Sequence, residues 1–371
     1  MQITGLTTRL LRIDPAPRYR DGVIPPGRPR EWLFPLVVLH SDAGVDGCSM
    51  AYGPHGDGRM LADCLHEMYL PQILGADPRD LGALWQKLFA WQRHLYNHSH
   101  ALLGVVDVAL WDLFGRLTGQ PIARLLGQCV SARPAYLSAR SEHASAEELV
   151  AEAQAARAAG YHGYKLQLRS GPAADLPRLR AAREAVGPDF RLMQDPNAAY
   201  SLPEALAVGR ELDELGYHWF EEPLPEARLG HYRHLAAALR TPVVAGETVR
   251  VDQLAEFFAG PAMTIARGDV LIKGGITGLR KAMAACELAG FDLEIHTANT
   301  PLLDVANLHV ACAAPNTTMV EVHHPVFRFG LKKHPFDVGA DGLVRLPDGP
   351  GLGVELDWDW IENHTARVRR S

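Results

Sequence analysis

Three acidic residues lie at equal intervals in the chain, and each one ends a short apolar run. Asp195 closes FRLMQD, Glu221 closes GYHWFE and Glu247 closes TPVVAGE, at steps of 26 residues. One strand–helix unit of a β/α barrel has about that length, since eight units take roughly 250 residues. Carboxylates that end three successive parallel strands would converge at the barrel mouth and repel one another without a cation. Hard oxygen ligands favour Mg²⁺, with Mn²⁺ as a substitute, so the spacing predicts a metal-assisted enzyme.

The residues beside these carboxylates extend the predicted metal site. Asn197 follows Asp195 in the stretch DPNAAY and can supply a further ligand or a hydrogen bond to a ligand. The alternative is a plain turn, which Asp, Pro and Asn all favour. Glu222 follows Glu221 directly and would point to the opposite face of a strand, so we expect it to pair with a neighbouring basic group. For either glutamate the alternative is a solvated loop carboxylate.

A lysine and a glutamine follow the strand candidate that precedes Asp195. Lys165 closes GYHGYK, 30 residues before Asp195, in a chain whose 37 basic residues are almost all arginine. Beside a metal, its ammonium can stabilise an anion, or it can act as a base if the cation lowers its pKa. Gln167 would face the same way and can form hydrogen bonds but cannot act as a base.

An aspartate, a histidine and a glutamate continue the same period along the chain. Asp269 precedes His296 by 27 residues, and Glu321 follows His296 by 25. An aspartate on a neighbouring strand end can fix the imidazole tautomer and raise its basicity. Glu321 would end the last strand, where its carboxyl could donate or accept a hydrogen bond at a developing oxyanion. The alternative for His296 is a structural histidine, since the chain has 17 histidines, but its position favours the site.

The elements that would position these residues fall into two parts. The first part combines two hairpin strands with a block of helices, over residues 1–15, 31–42, 61–72 and 77–118. Two loops interrupt it: the aperiodic stretch PAPRYRDGVIPPGRPR and a Gly-rich loop at 47–59. From about residue 133, eight strand candidates alternate with helices between most of them, which predicts a parallel sheet.

Composition excludes several classes of function. The net charge of −6 argues against a nucleic-acid partner. Asp107 and Asp112 interrupt the best membrane candidate, ALLGVVDVALWDLF, and the start of the chain lacks the apolar core of a signal peptide. Five scattered cysteines without a CxxC pair favour neither a zinc site nor a disulfide framework. We therefore expect a cytoplasmic protein without membrane partners.

Together these positions resemble the enolase superfamily, and within it the mandelate racemase subgroup. The likeness covers nearly the whole chain. Residues 99–127 are similar to the segment that joins the family's capping domain to its barrel, and DVLIKGGITG at 269–278 is similar to the stretch after the dyad aspartate. The resemblance implies an α/β fold, a modified TIM (β/α)7β-type barrel behind an N-terminal α+β capping domain. The expected limits are 1–127 for the capping domain, 128–336 for the barrel and 337–371 for a segment that returns to the capping domain.

The resemblance also implies a role for each residue. The family's metal ligands fall on Asp195, Glu221 and Glu247, its His–Asp dyad on His296 and Asp269, and its oxyanion-side glutamate on Glu321. In the implied reaction Mg²⁺ binds a substrate carboxylate, a base removes the α-proton, and the metal stabilises the enediolate. Two capping loops would cover the mouth near 16–30 and 47–59. Four arginines of the first loop could contact a distal carboxylate or hydroxyls, with a solvated basic loop as the alternative: Arg18, Arg20, Arg28 and Arg30.

Gln167 departs from the family pattern. Racemases of this subgroup usually carry Lys-x-Lys, with the second lysine as a base opposite the histidine, whereas this chain has Lys165-Leu166-Gln167. Dehydration can use one base, because His296 can remove the α-proton and return it to the leaving β-hydroxyl. The resemblance therefore implies a dehydratase that converts a small carboxylate, an aldonate or aldarate, to a 2-keto-3-deoxy acid. It also implies a homo-oligomer.

Three alternatives stay open. A racemase or epimerase of a 2-hydroxy acid or amino acid derivative could use Lys165 as its second base. A cycloisomerase similar to muconate lactonizing enzymes could use Lys273, which otherwise belongs to the surroundings of the site. A barrel retained for binding or regulation without turnover is the third, and the joint presence of the metal, dyad and Lys165 positions argues against it.

Overall fold

The computed structural model describes residues 1–54, 57–95, 100–138, 145–258, 260 and 262–371, without the side chains of Arg20 and His100. Within this part the chain forms a four-stranded antiparallel sheet and a closed barrel of eight parallel strands, to which one further strand is added at the side. The predicted (β/α)-type barrel with an N-terminal α+β domain is confirmed.

The N-terminal sheet is built on the predicted hairpin. Strand β1 (Ile3–Ile13) pairs antiparallel with β2 (Trp32–Ser41), which pairs with β3 (Gly47–Met50). The loop expected from residue 47 begins after Met50 instead, because residues 47–50 are paired with β2. Glycine at position 47 is required by packing, since a Cβ there would lie 2.2 Å from the backbone oxygen of Ala109.

Helices of different lengths accompany this sheet. Those of the described N-terminal part are α1 (Gly58–Cys64), α2 (Leu70–Ile73), α3 (Leu81–Trp91), α4 (His100–Thr118) and α5 (Ile122–Leu126). The longest of them, α4, packs against β2 and β3. A π-helical turn at Leu65–Tyr69 joins α1 to α2, and single 3-10 turns lie at Ala16–Arg18, Arg20–Gly22 and Gln92–Leu95. The predicted helix over 77–118 is interrupted, because α3 passes into the 3-10 turn at Gln92–Leu95; residues 96–99 of the prediction lie outside the described residues. The buried carboxylate of Asp112 in α4 accepts the amides of Cys48 and Leu352, both at 2.8 Å, and so ties the sheet to the C-terminal segment.

Eight parallel strands pair in chain order, and the last pairs with the first to close the barrel. They are β4 (Ala132–Ser138), β5 (Gly163–Leu166), β6 (Arg191–Gln194), β7 (Trp219–Glu221), β8 (Val243–Ala245), β9 (Ile265–Gly268), β10 (Asp292–Ile295) and β11 (Val320–Val322). One helix lies between each successive pair: α6 (Ala146–Ala158), α7 (Pro172–Val186), α8 (Leu202–Leu215), α9 (Leu229–Ala238), α10 (Ala255–Phe258), α11 (Gly275–Ala289) and α12 (Pro301–Ala313). Since parallel strands all point the same way, the residues after each strand meet at one mouth.

Helix α12 is the barrel helix that the sequence pattern does not reveal. Every residue from Pro301 to Cys312 is buried, so the helix has no solvent-exposed face from which an amphipathic period could be read. It is enclosed because α5, β3 and α4 of the capping domain all pack against it from outside the barrel.

The C-terminal segment contacts both sheets. Strand β12 (Leu343–Arg345) runs antiparallel beside β4 of the barrel, and β13 (Thr365–Arg370) runs antiparallel beside β1 of the capping sheet. Helix α13 (Trp358–His364) lies between these two strands. The limits 1–127, 128–336 and 337–371 stay a prediction. Among the described residues, the helices are too short or too polar for any of them to span a lipid bilayer.

Candidate active site

A cavity of about 620 Å³ opens at the mouth where the barrel strands end. The strand ends contribute predicted site residues to its lining: Gln167, Asn197, Glu247, Asp269, His296 and Glu321. The capping domain contributes side chains from both expected loops, among them Arg18, Arg28 and Tyr52. A larger groove of about 750 Å³ on the capping sheet, beside Arg9 and His40, contains none of the predicted site residues. The chemistry therefore belongs to the barrel mouth.

Lys165 lies at the bottom of this mouth, bonded to three carboxylates. Its Nζ is 2.8 Å from Glu221 Oε1, 2.9 Å from Glu321 Oε1 and 3.2 Å from Asp195 Oδ2. Burial alone would lower the pKa of this lysine, but the carboxylates of Glu221 and Glu321 outweigh burial and raise it well above its usual value. Lys165 is therefore a cation, and each of its three protons has a carboxylate partner.

Arg267 is the second cation of this cluster, and it is a residue that the sequence reasoning missed. It is completely buried, with Nε 3.0 Å from Glu221 Oε1 and Nη2 2.6 Å from Glu321 Oε2. Its Nη1 donates to the backbone oxygen of Ile295 at 3.0 Å. Strand alternation could have revealed it, because Arg267 lies two residues before Asp269 and so faces the same side.

Both oxygens of Glu321 are held by donors. Oε1 lies beside Lys165, while Oε2 binds Arg267 and accepts the amide of Thr297 at 3.2 Å. Although burial acts to raise the pKa of this carboxyl, Lys165 and Arg267 bring it well below its usual value. Of the two options that the sequence leaves for Glu321, donating or accepting a hydrogen bond, the geometry leaves only accepting.

The three predicted metal ligands lie around this cluster with an excess of negative charge. Among the described residues no three His, Cys, Asp or Glu side chains form a ready metal cage, and Lys165 lies between Asp195 and Glu221. Burial, followed by repulsion from Glu221, raises the pKa of Glu247 to about 7. Three basic side chains, Lys165, Arg267 and Lys273, face a larger set of interacting carboxyl groups: Asp195, Glu221, Glu222, Glu226, Glu247, Asp269 and Glu321. Hard oxygen donors in negative excess fit a divalent cation such as Mg²⁺.

Asn197 is bonded to the first of these ligands. Its backbone amide and its Nδ2 donate to Asp195 Oδ1 at 2.9 and 3.1 Å. Its φ of 47° lies in the left-handed region, which asparagine tolerates better than most residues. Asn197 thus forms hydrogen bonds to a predicted metal ligand, which is one of the two roles considered for it. The other oxygen of Asp195, Oδ2, faces Lys165.

The expectation that Glu222 pairs with a basic group is wrong. Its Oε1 accepts the amide of Glu247 at 3.0 Å, and its side chain shares a hydrogen bond with Glu226. Burial, then repulsion from Glu247 and Glu226, raises its pKa well above the usual value, so a protonated Glu222 can donate the hydrogen bond to Glu226. Glu222 also has a φ of 36°, a strained conformation that is typical of functional sites.

Glu226 and Lys273 hold the loop that carries Glu247 from two sides. Glu226 accepts the amides of Gly246 at 2.5 Å and Thr248 at 3.0 Å, and also the Thr248 hydroxyl. The ammonium of Lys273 donates to the backbone oxygens of Gly246, Glu247 and Val249, the second at 3.0 Å. Lys273 is completely buried, so its ammonium supports this loop and does not face the cavity.

His296 and Asp269 form the expected dyad. His296 Nδ1 is 2.6 Å from Asp269 Oδ2, and Nε2 is 3.6 Å from Glu247 Oε2. Asp269 thus fixes the tautomer and turns Nε2 toward the cavity. Burial acts to lower the pKa of His296, but Glu247 and Asp269 together raise it to about 9. Asn307 of α12 supports the pair by donating to the backbone oxygen of His296 at 3.0 Å.

The predicted arginines of the first capping loop differ in their placement. Arg18 and Arg28 line the cavity, Arg30 is exposed outside its lining, and the side chain of Arg20 lies outside the described residues. His323 also lines the cavity and was missed, although its position two residues after Glu321 places it on the same side of the strand end.

Comparisons with known proteins agree with this geometry. The family described as "Mandelate racemase / muconate lactonizing enzyme, N-terminal domain" matches residues 30–127, and "Enolase C-terminal domain-like" matches residues 148–360. D-galactarolactone cycloisomerase of Agrobacterium fabrum is 30% identical, over 87% of this chain and 89% of its own. Arabinonate dehydratase of Saccharolobus solfataricus is 31% identical over the same shares. The solved structure of D-glucarate dehydratase from Agrobacterium tumefaciens, complexed with magnesium, is 32% identical with a TM-score of 0.87, covering 99% of this chain and 100% of that one.

Proposed function

Because the chain belongs to the mandelate racemase/muconate lactonizing enzyme family of the enolase superfamily, we propose that it is a Mg²⁺-dependent dehydratase of a sugar acid. Relatives named as dehydratases of sugar acids support the substrate class. The observation that carries the reaction type is that one base is available among the residues the structure describes. Of the described ionisable groups that line the cavity, His296 is the one whose geometry allows it to exchange a proton with a substrate.

Asp195, Glu221 and Glu247 would hold the metal. Bound there, Mg²⁺ would supply positive charge against the second negative charge that develops on a carboxylate substrate as its α-proton leaves. Lys165 adds a fixed positive charge on the same side. Asn197 supports Asp195, and the buried Lys273 supports the Glu247 loop.

Lys165 does not serve as a second base in this proposal. Its ammonium already donates toward Asp195, Glu221 and Glu321, and the two glutamates raise its pKa. Gln167 has no basic group, and Glu321 has both oxygens bound to cations. Racemisation needs a proton acceptor on each face of the α-carbon, whereas elimination of water needs an acceptor on one face only.

The residues then act in two steps. A cation held by Glu247 would offset the charge that contributes most to raising the pKa of His296, so the ring would be neutral. His296 Nε2, oriented by Asp269, then takes the proton from C2 of the substrate. The electron pair moves toward C3, the C3–O bond breaks, and His296 returns its proton to the departing hydroxyl, which leaves as water. The remaining enol becomes the 2-keto-3-deoxy acid, so atoms and charge balance without an oxidant or a reductant.

Cycloisomerisation of a sugar lactone is the second candidate, because one relative is named D-galactarolactone cycloisomerase. It would begin with the same proton transfer to His296 but expel the ring oxygen in place of water. A lactonizing reaction based on Lys273 has less support, because that ammonium is buried and donates to three backbone carbonyls. Racemisation through Lys165 is disfavoured for the reasons above.

We would test the proposal by incubating the protein with Mg²⁺ in D₂O against mono- and dicarboxylic sugar acids and their lactones. Chromatography with mass spectrometry distinguishes three outcomes: loss of one water marks a dehydratase, a new product with the lactone's composition apart from one solvent deuterium marks a cycloisomerase, and deuterium in recovered substrate marks an epimerase. The matched control is His296→Asn, which retains a polar side chain but cannot accept the proton. We expect it to lower kcat by at least about 10²-fold.

We also propose that the protein works as a homo-oligomer in a reducing cytoplasm. All five cysteines are unpaired, which supports the compartment. Exposed apolar side chains such as Leu288 (91%), Val23 (68%) and Met60 (56%) support association. Light scattering of the purified protein tests the oligomeric state directly.

A further inference from the structure

Charge is divided unequally around the active-site cavity. Its acidic lining residues, Glu247, Asp269 and Glu321, all follow barrel strands around His296. The lining that comes from the described residues of the capping domain includes Arg18 and Arg28 and no carboxylate. A ligand complementary to this cavity therefore needs negative charge on its capping side, in addition to the carboxylate that would bind near Lys165.

His323 is a fixed hydrogen-bond donor on this capping side. Its Nδ1 accepts the backbone amide of His324 at 2.7 Å, so the neutral ring carries its proton on Nε2. Burial and, after it, the nearby Arg18 lower its pKa to about 3. The ring therefore stays neutral at working pH and offers one donor that does not change with pH.

Arg18 is held beside this histidine by aromatic side chains. Its guanidinium lies 5.4 Å from the ring centre of Phe327 and 5.9 Å from that of Trp32, and it is hydrogen-bonded to Tyr52. The ring of His323 meets the same Phe327 edge-on at 5.4 Å. Cation–π contacts of this kind restrict the position of the guanidinium, and its N–H groups can still donate hydrogen bonds to a ligand.

Arg18 and the fixed tautomer of His323 can only donate hydrogen bonds. A substrate hydroxyl would accept from them, but its own proton would then need an acceptor that neither residue provides. A carboxylate only accepts, and it also matches the charge of the guanidinium. We propose that the substrate carries a second carboxylate that binds to Arg18 and His323, which makes it a dicarboxylic sugar acid of the aldarate type; this rests on the proposed function.

The experiment compares a dicarboxylic sugar acid with the monocarboxylic acid of the same configuration, as substrates and as ligands in calorimetry with Mg²⁺. The wild-type protein is expected to favour the diacid in kcat/KM by at least about tenfold, since a hydrogen bond to a charged group contributes that much. Arg18→Met preserves the packing on the aromatic rings but removes the charge. It should lower kcat/KM for the diacid by about 10- to 100-fold, mainly through KM, and lower that of the monoacid by a clearly smaller factor, since a neutral hydroxyl loses a weaker hydrogen bond than a carboxylate.

His323 supplies a matched pair of variants. His323→Gln keeps an N–H near the position of Nε2 and should retain most of the preference for the diacid. His323→Leu should lose part of that preference, by about tenfold. Thermal unfolding of each variant checks that the fold is intact.

Two results would overturn the proposal: a wild-type preference for the monoacid, or an equal loss for both acids in Arg18→Met. Calorimetry needs no turnover, so it separates this inference from the proposed function. If the diacid binds, Arg18→Met weakens that binding and no reaction occurs, the proposed dehydratase is contradicted and the second-carboxylate site is supported. If the protein dehydrates sugar acids without a preference for diacids, the dehydratase is supported and the second-carboxylate site is contradicted.

Discussion

The bottom of the barrel mouth and the wall above it hold charge in opposite ways. The bottom, which we call the floor, consists of Lys165, Glu221, Arg267 and Glu321, all of them buried. Its cations and anions alternate in a ring, with each carboxylate bonded to both cations. The capping wall, formed by Arg18, Arg28, Trp32 and Tyr52, carries its cations at positions that are half-buried or exposed. The floor neutralises itself, whereas the wall leaves positive charge for a ligand.

This difference separates stability from specificity. A buried ion pair that loses one partner leaves an uncompensated charge in a low dielectric, which is expensive. Removal of a partly exposed arginine changes the free energy of unfolding little, since water already solvates its charge. Changes in the floor should therefore reduce stability and catalysis together, while changes in the wall should alter the choice of substrate without unfolding the protein.

Arg267→Met is expected to have the largest effect. It removes one of the two cations shared by Glu221 and Glu321 and leaves those carboxylates with Lys165 alone. Breaking a buried pair in this way costs about 3–5 kcal/mol. Urea unfolding measures the change in the free energy of unfolding. Arg267→Lys, which keeps the charge, should recover a substantial part of the loss, and a loss below about 1 kcal/mol for Arg267→Met would remove the distinction between floor and wall.

The support behind the floor predicts a pH dependence. Asp304 accepts the Thr297 hydroxyl at 2.9 Å and the Ala298 amide at 2.6 Å, and burial is the main cause that raises its pKa to about 7. The folded state therefore holds a proton between about pH 4 and pH 7 that the unfolded state has released. Stability contributed by this group is present at the acid end of that window and is lost as the pH rises through 7.

The size of this loss is roughly 4 kcal/mol, since each pKa unit corresponds to about 1.4 kcal/mol. Asp304→Asn keeps an oxygen that can accept both hydrogen bonds but has no proton to release. We expect the difference in unfolding free energy between this variant and the wild type to change by a few kcal/mol from pH 4 to pH 8, in favour of the variant at pH 8. A difference that does not change with pH would show that Asp304 titrates normally.

Lys273→Met tests whether the support of the Glu247 loop controls metal affinity. The lysine holds the carbonyls of the loop that carries Glu247, so its loss should let that carboxylate move. Mutation of a residue that orients a metal ligand typically lowers metal affinity by about 10- to 100-fold. Calorimetric titration with Mg²⁺ measures this without turnover. A purely structural lysine would lower the unfolding temperature and leave the affinity of the folded protein unchanged.

The acidic strand-end residues and Lys165 were predictable from the sequence, because the period of the barrel dictates them, whereas Arg267 of the floor was missed. One strand–helix unit repeats, so Lys165, Asp195, Glu221 and Glu247 could be assigned to neighbouring strand ends from their spacing alone. The partner of Glu222 could not be assigned, since two consecutive glutamates do not reveal that a third, Glu226, approaches one of them through space.

The capping wall and helix α12 were less predictable for two physical reasons. The wall depends on how an aperiodic loop folds over the mouth, and no local pattern distinguishes the cavity-lining Arg28 from the exposed Arg30. Helix α12 is buried on every side, so it lacks the amphipathic period by which its neighbours were found. Periodicity reveals elements that have one solvated face.

Arg28→Ala is expected to have the smallest effect on stability and so gives the sharpest contrast with the floor. Its side chain lines the cavity and is exposed to solvent, so its removal should change the free energy of unfolding by no more than about 0.5 kcal/mol. Its charge still acts on an anionic ligand, so KM for a dicarboxylic sugar acid should rise severalfold, and this effect should shrink in high salt because exposed charges are screened. Parallel unfolding and kinetic measurements at low and high ionic strength decide the matter. An unfolding loss as large as that of Arg267→Met would mean that the wall, too, is part of the charged framework that holds the barrel mouth together.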